Sequence, residues 1–256
     1  MRNFGLIGYP LGHSFSKKYF TDKFENESVD AVYELYEIAD IEQFEKLIQS
    51  VALSGLNVTI PYKQRVIPFL DELDETAANI GAVNVIRFIR SADKLVLKGY
   101  NSDVIGFVES IKPRLKPHHQ KALMLGTGGA AKAMTYGLQK LGLEVTYVSR
   151  SVDNAMENTA QHPLISYTDI NEAVMRDHSV IVNASPVGTF PHVDASPDIP
   201  YHLLTEKHLL FDAVYNPAET LFMKNGKQYG ADTLNGEQML IGQAEEAWRI
   251  WNEDSV

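Results

Sequence analysis

The sequence predicts an α/β protein of two domains, the second a doubly wound parallel sheet. Three observations predict it. Short apolar runs alternate with segments of helical spacing along nearly the whole chain, the pattern of βαβ units. A polar loop with Pro113, Pro117 and two histidines interrupts that alternation near the middle. A glycine-rich turn follows the first strand beyond this loop. The domains are read as residues 1–103 and 104–237, followed by a helix over 238–256.

The elements follow in order. Phe4 to Gly8 reads as a strand, Ser16 to Phe24 as a helix and Ala31 to Ile38 as a strand. Ile41, Phe44, Leu47 and Ile48 give helical spacing over Ile41 to Ser50. Leu56 to Ile60 is a buried strand that stops at Pro61, and Glu72 to Ile80 a helix. Val83 to Ile89 and Leu95 to Tyr100 form a hairpin joined by polar residues. Asp103 to Ile111 is a helix. Beyond the loop, strands are read at Ala122 to Leu125, Val145 to Ser149, Val180 to Asn183 and Leu209 to Ala213. Gln238 to Trp251 closes the chain as a helix with apolar residues at Leu240, Ala244, Ala247, Trp248 and Trp251.

Composition narrows the classes. The chain has 256 residues, a net charge of −10 and 45% hydrophobic residues, which is ordinary for a globular protein with a sizeable core. The acidic balance argues against a nucleic-acid binder, which needs a basic stripe. It leaves room for an anionic small ligand held by a few cations and backbone amides. The absence of cysteine excludes disulfides, thiolate metal sites and a cysteine nucleophile. No apolar stretch reaches membrane-spanning length and no signal peptide stands at the start, so a cytoplasmic protein is expected.

Leu125-Gly126-Thr127-Gly128-Gly129-Ala130-Ala131 follows a strand and opens a helix. Gly126, Gly128 and Ala131 fit the G-x-G-x-x-G/A pattern of a dinucleotide site. The first glycine permits a tight turn, the second lets pyrophosphate reach the backbone, and the alanine permits close helix–strand packing. The plainer reading is an ordinary glycine-rich turn. At the end of the next strand, Ser149-Arg150-Ser151 contains no carboxylate to accept from a ribose 2′-hydroxyl. A guanidinium and two hydroxyls suit a 2′-phosphate, so NADP is expected over NAD. The alternative is a solvated surface arginine.

The first half offers polar groups near helix starts. Ser14 and Ser16 point to one side if that segment is extended, and Ser16 can cap the helix behind it. Two hydroxyls beside a helix N-terminus suit a carboxylate, although capping alone also explains them. His13 reads as a local hydrogen-bonding residue. The run Asn57-Val58-Thr59-Ile60-Pro61-Tyr62-Lys63 ends a buried strand and presents an amine, where α/β sheets open into ligand crevices. Asn84 and Asp103 have plain readings too, as a polar strand residue and a helix-start acid.

Together these segments resemble the shikimate dehydrogenase family. The ordered set is Gly8-Tyr9-Pro10-Leu11-Gly12-His13-Ser14-Phe15-Ser16, the Asn57 to Lys63 run, Gly81-Ala82-Val83-Asn84 and Asn101-Ser102-Asp103. It continues with the Gly126 to Ala130 loop, Val182 to Pro186, Asp212 to Tyr215, and Asn235-Gly236 through Gln243. The resemblance implies NADP-dependent, reversible reduction of 3-dehydroshikimate to shikimate on the route to chorismate and aromatic amino acids. It implies an N-terminal substrate domain, a Rossmann-like NADP domain, a cleft between them and a last helix that returns to the first domain. By the same resemblance, Lys63 and Asp103 are catalytic, and Ser14 and Ser16 bind the substrate carboxylate. Thr59, Asn84, Tyr215 and Gln243 are further substrate contacts. The cofactor set is Gly126, Thr127, Gly128, Gly129, Ala130, Ser149, Arg150, Ser151, Ala184, Ala213 and Gly236, with no metal. A monomer or homodimer is expected.

The chain departs from the family pattern in three places. Asn154 stands where many members carry a second arginine. Gln238 replaces a glycine expected near the nicotinamide, and Ala213 a larger apolar residue. Two other readings follow: a quinate-oxidising relative that uses NAD, and a dinucleotide-binding regulator with little activity. The intact Lys63 and Asp103 argue against the regulator.

Overall fold

The computed structural model describes residues 1–12, 14–91, 94–159 and 162–253, with the backbone alone at 154, 157 and 158. His13 and the side chain of Asn154 therefore lie outside the described residues. The chain divides into two compact units, residues 1–102 with 243–256, and residues 103–242.

The first unit contains β1 (Arg2–Gly8), α1 (Phe15–Asn26), β2 (Ala31–Glu37), α2 (Gln43–Ser50) and β3 (Leu53–Val58). It continues with α3 (Tyr62–Arg65), β4 (Glu72–Leu73), α4 (Glu75–Ile80), β5 (Val85–Arg90) and β6 (Leu95–Tyr100). Its sheet runs β2-β1-β3-β5-β6-β4. The β1, β2 and β3 strands are parallel, whereas β5 pairs antiparallel with both β3 and β6. One face packs on Phe44, Tyr62 and Val66. The other holds Phe4, Phe20, Phe24 and Tyr33 against Ala244, Ala247, Ile250 and Trp251.

The second unit begins with α5 (Asp103–Ile111), β7 (Lys121–Leu125), α6 (Gly129–Lys140), β8 (Glu144–Ser149) and α7 (Val152–Thr159). It continues through β9 (Leu164–Ser166), α8 (Glu172–Asp177), β10 (Val180–Asn183), β11 (Leu209–Asp212), α9 (Leu221–Gln228), β12 (Asp232–Leu234) and the start of α10 (Glu237–Asn252). Every pairing in its sheet is parallel, in the order β12-β11-β10-β7-β8-β9. This is a doubly wound sheet whose order reverses between β7 and β10. The units divide at 102/103 and 242/243, a little away from the bounds read in the sequence. Met239 explains the second shift, because it packs in the core of the second unit with Phe107 and Phe211.

Three local expectations are corrected. The helix expected from Glu72 begins at Glu75, because Asp74 caps it by accepting from the amides of Thr76 and Ala77. Glu72 and Leu73 instead pair with β6. The strand expected over Leu56 to Ile60 spans Leu53–Val58. Helix α1 begins at Phe15 with Ser14 as its cap, so Ser16 lies inside the first turn rather than at the cap.

Candidate functional site

In the first unit, the site residues stand at the carboxyl ends of β1 and β3 and on the segments that follow. Ser14 has extended backbone, with φ −99° and ψ 121°, and its Oγ accepts from the Lys17 amide at 3.3 Å. Gly8 lets the chain pass close to the next strand, since a Cβ there would lie 2.5 Å from Thr59 Cγ2. The Thr59 amide donates to Ile7 at 2.9 Å, which holds Thr59 at the strand end. Lys63 follows on α3, half-buried. That single turn is fixed by the Tyr62 hydroxyl, which donates to the Ile38 carbonyl at 2.6 Å, and by the Val83 amide, which donates to the Lys63 carbonyl at 2.7 Å.

Asn84 is the centre of a buried polar network. Its Oδ1 accepts from the Ser102 amide at 2.7 Å, and its Nδ2 donates to Ser102 Oγ at 3.0 Å and to Gln243 Oε1 at 3.5 Å. Asn84 is 2% exposed and Ser102 fully buried. Unpaired groups at such depth would be costly, so these bonds specify the arrangement. Behind Asn84, Asn57 Nδ2 donates to its carbonyl at 3.2 Å, and the Tyr33 hydroxyl donates to Asn57 Oδ1 at 2.8 Å. Burial raises the Tyr33 phenol above its ordinary range. Asn84 and Gln243 are thus brought into one network. Tyr33, Asn57 and Ser102 had no role assigned from sequence. A polar Asn57 among the buried residues of β3 was the available signal.

In the second unit, Asp103 opens α5 directly after Ser102, and it is 5% exposed. The glycine turn lies at the point where the sheet order reverses. Gly126 has φ +118°, and a Cβ there would stand 3.3 Å from the Ala184 carbonyl carbon and oxygen, so only glycine fits without strain. Gly128 precedes α6 as its cap without a side-chain hydrogen bond, and nothing lies within 4 Å of a Cβ placed there. The first amides of α6, including those of Gly129 and Ala130, are therefore presented beside open space, with the positive end of the helix dipole behind them. Ala131 is fully buried, as close helix–sheet packing needs.

The loops around this turn are held by side chains. Asn183 Oδ1 accepts from the Ser185 amide at 3.1 Å and from its hydroxyl at 2.6 Å, which shapes the loop at Ala184. Asn183 Nδ2 donates to Asp212 at 2.9 Å. Asp212 also accepts from the Val214 amide at 3.0 Å and from Thr220 Oγ1 at 2.5 Å, fixing the segment that carries Ala213 and Tyr215. Burial pushes the Asp212 carboxyl up to about 6, although all three donors favour its ionised form. A Cβ at Gly236 would lie 2.3 Å from the Ala213 carbonyl oxygen, so this glycine permits close passage of two loops. Tyr215 is 37% exposed. At the end of β8, the Ser151 amide donates to Ser149 Oγ at 3.2 Å, and the hydroxyl returns a bond to the Ser151 carbonyl at 3.1 Å. This turn presents an exposed Arg150. Gln238 is exposed on the first turn of α10. Asn183, Asp212 and Thr220 had no role assigned from sequence.

The second unit fits NADP on these observations. The positive-φ glycine, the open space over Gly128 and the exposed guanidinium between two serines match a pyrophosphate and a 2′-phosphate. Among the described residues, no group of three or more His, Asp or Glu side chains is arranged to hold a metal ion. No helix among them is long and apolar enough to cross a membrane.

Comparison with known proteins adds an independent finding. A family model described as the shikimate dehydrogenase substrate binding domain matches residues 6–86. A shikimate dehydrogenase (NADP(+)) of Methanosphaera stadtmanae is 35% identical over 259 residues, covering 96% of this chain and 90% of the relative. A crystal structure of a chorismate mutase/shikimate 5-dehydrogenase fusion protein from Clostridium acetobutylicum aligns with a TM-score of 0.88 at 33% identity, over 100% of this chain and 92% of that one. A shikimate 5-dehydrogenase from Thermus thermophilus, solved with NADP(H) and shikimate, aligns with a TM-score of 0.85 at 30% identity, over 98% and 94%.

Proposed function

The chain belongs to the shikimate dehydrogenase family, and from that premise we propose that it catalyses the NADP-dependent, reversible reduction of 3-dehydroshikimate to shikimate. The product feeds synthesis of chorismate and aromatic amino acids. The observation that carries the proposal is the Asn84 network, which gathers Ser102 and Gln243 onto one buried amide. Amides and a hydroxyl held in this way suit a ligand that carries several ring hydroxyls.

Ser14 and Ser16 bind the carboxylate, and Thr59, Asn84, Gln243 and Tyr215 the remaining polar groups. Gly126, Thr127, Gly128, Gly129, Ala130, Ala184, Ala213 and Gly236 line the dinucleotide, with Ser149, Arg150 and Ser151 on the 2′-phosphate. When bound, the nicotinamide supplies the hydride, and the protein orients the reactants and manages the proton. Reduction of a ketone places negative charge on its oxygen. The ammonium of Lys63 stabilises that charge and gives up the proton; in the other direction the neutral amine takes it from the alcohol. Asp103 completes the catalytic pair and accepts the neighbouring ring hydroxyl. A buried carboxylate has acceptor capacity for it. The domain roles are a substrate unit over residues 1–102 with 243–256, and a cofactor unit over 103–242. The protein acts in the cytoplasm as a monomer or homodimer, without nucleic acid or membrane partners.

The test is an assay of the purified protein with shikimate and with quinate, each with NADP and with NAD. The expected result is hydride transfer fastest with shikimate and NADP. Absence of hydride transfer in all four combinations overturns the reading, and a preference for quinate with NAD replaces it with the quinate-oxidising alternative.

A further inference from the structure

We propose that Tyr33 is a positioning residue for shikimate binding, acting through Asn57 on Asn84; the inference rests on the proposed dehydrogenase function. Tyr33 lies on β2, the edge strand of the first sheet, and reaches inward past β1. It is 2% exposed, and its ring stacks on Phe20 with centroids 4.8 Å apart. Those ring contacts explain an aromatic residue at this position. They do not explain a hydroxyl.

The hydroxyl has a directed role. It donates to Asn57 Oδ1 at 2.8 Å, while Asn57 Nδ2 donates to the Asn84 carbonyl at 3.2 Å. A primary amide can be turned by half a rotation with little change of shape. Turned here, Asn57 would set its oxygen against the Asn84 carbonyl, two acceptors facing each other. The Asn84 carbonyl, which only accepts, therefore selects one amide orientation, and the Tyr33 hydroxyl satisfies the oxygen which that orientation turns towards it. The same carbonyl also accepts from the Val58 amide at 2.9 Å, so it is held at the carboxyl end of β3. The Asn84 side chain in turn meets Ser102 and Gln243. Residues 24, 27, 18 and 159 positions apart are linked in sequence along this path. Loss of the Tyr33 hydroxyl would leave a buried acceptor on Asn57 without its donor and loosen the wall that carries Asn84.

Tyr33→Phe removes the hydroxyl and keeps the ring packing. Steady-state kinetics with shikimate and NADP is measured for wild type, Tyr33→Phe, Asn57→Ala and the double variant, with the melting temperature of each. The expected result for Tyr33→Phe is a shikimate KM raised about three- to tenfold, the equivalent of one lost neutral hydrogen bond. Its kcat and its KM for NADP stay within about twofold, a split that marks lost substrate positioning rather than general damage. In the Asn57→Ala background, the same change has no further effect on KM, because residues in one relay are not additive. An unchanged KM in Tyr33→Phe, or an equal loss with and without Asn57, overturns the role. So does a uniform fall in kcat and both affinities together with the melting temperature. An inactive wild type overturns the functional reading and this role with it, whereas an active wild type with an unaffected Tyr33→Phe variant overturns this role alone.

Discussion

On the proposed function, the two units meet their ligands with different parts of the chain. The first uses side chains: Asn84, Ser102 and Gln243 share one buried hydrogen-bond network, and Tyr33 and Asn57 stand behind it. The second uses the main chain: a positive-φ glycine, an open approach over Gly128 and the amides at the start of α6. Side-chain amides and hydroxyls read the positions of individual ligand groups, and leaving one unpaired is costly. Backbone amides read an anion, and the side chains around them need only stay out of the way. Substitutions should therefore act on affinity and turnover in the first unit according to hydrogen-bonding chemistry. In the second they should act according to volume and backbone conformation.

The largest expected effect is at Lys63. Lys63→Ala should lower kcat by about 10²–10⁴-fold while shikimate KM changes far less, as expected for lost acid–base chemistry. Steady-state kinetics checks this, and an unchanged kcat with a raised KM would reduce Lys63 to a binding contact.

The Asp212 carboxyl tests whether the second unit depends on side-chain charge at all. Its pKa is raised to about 6 by burial, from an ordinary value of 3.8. The folded state therefore holds the neutral acid better than the unfolded chain does. That contribution is complete below about pH 4 and is lost as pH rises through about 6, a change of up to about 3 kcal/mol. Denaturant unfolding of wild type and Asp212→Asn across this range should show the variant gaining relative stability as pH rises. A pH-independent difference would mean that the three donors cancel the effect of burial.

Asn84→Ala should destabilise the protein by about 1–3 kcal/mol, because Ser102 and Gln243 lose a buried partner, and should raise shikimate KM. Unfolding curves and kinetics together check both parts. The matching pair in the second unit is Gly126→Ala and Gly128→Ala. The first places a side chain at φ +118° against Ala184 and should cost about 1–3 kcal/mol. The second meets no protein atom within 4 Å, so the melting temperature should hold while NADP binding alone weakens. If Gly128→Ala leaves NADP affinity unchanged, the pyrophosphate does not pass there.

The smallest effect is at Arg150. Arg150→Ala should raise the KM for NADP about tenfold, the worth of one hydrogen bond to a charged group, and leave that for NAD unchanged. Equal effects on both cofactors would assign Arg150 to a common contact.

The sequence by itself determined the α/β class, the doubly wound order of the second unit and the glycine turn at Gly126 to Ala131. These depend on local patterns: apolar period, turn residues and a fixed glycine spacing. Helix α5 spans Asp103–Ile111 and β10 spans Val180–Asn183, the bounds read from those patterns. The ordered motifs also named Asn84 and Gln243, which the structure joins by a hydrogen bond. Local competition decided finer points against the pattern, as where Ser14 rather than Ser16 caps α1 and Asp74 delays α4. Only the tertiary structure decided that Tyr33, Asn57 and Ser102 join Asn84, and that Asp212 braces the loop at Tyr215. The physical reason is the reach of the bonds: hydrogen bonds between residues tens of positions apart, as from Asn84 to Gln243, leave no period or spacing in the chain.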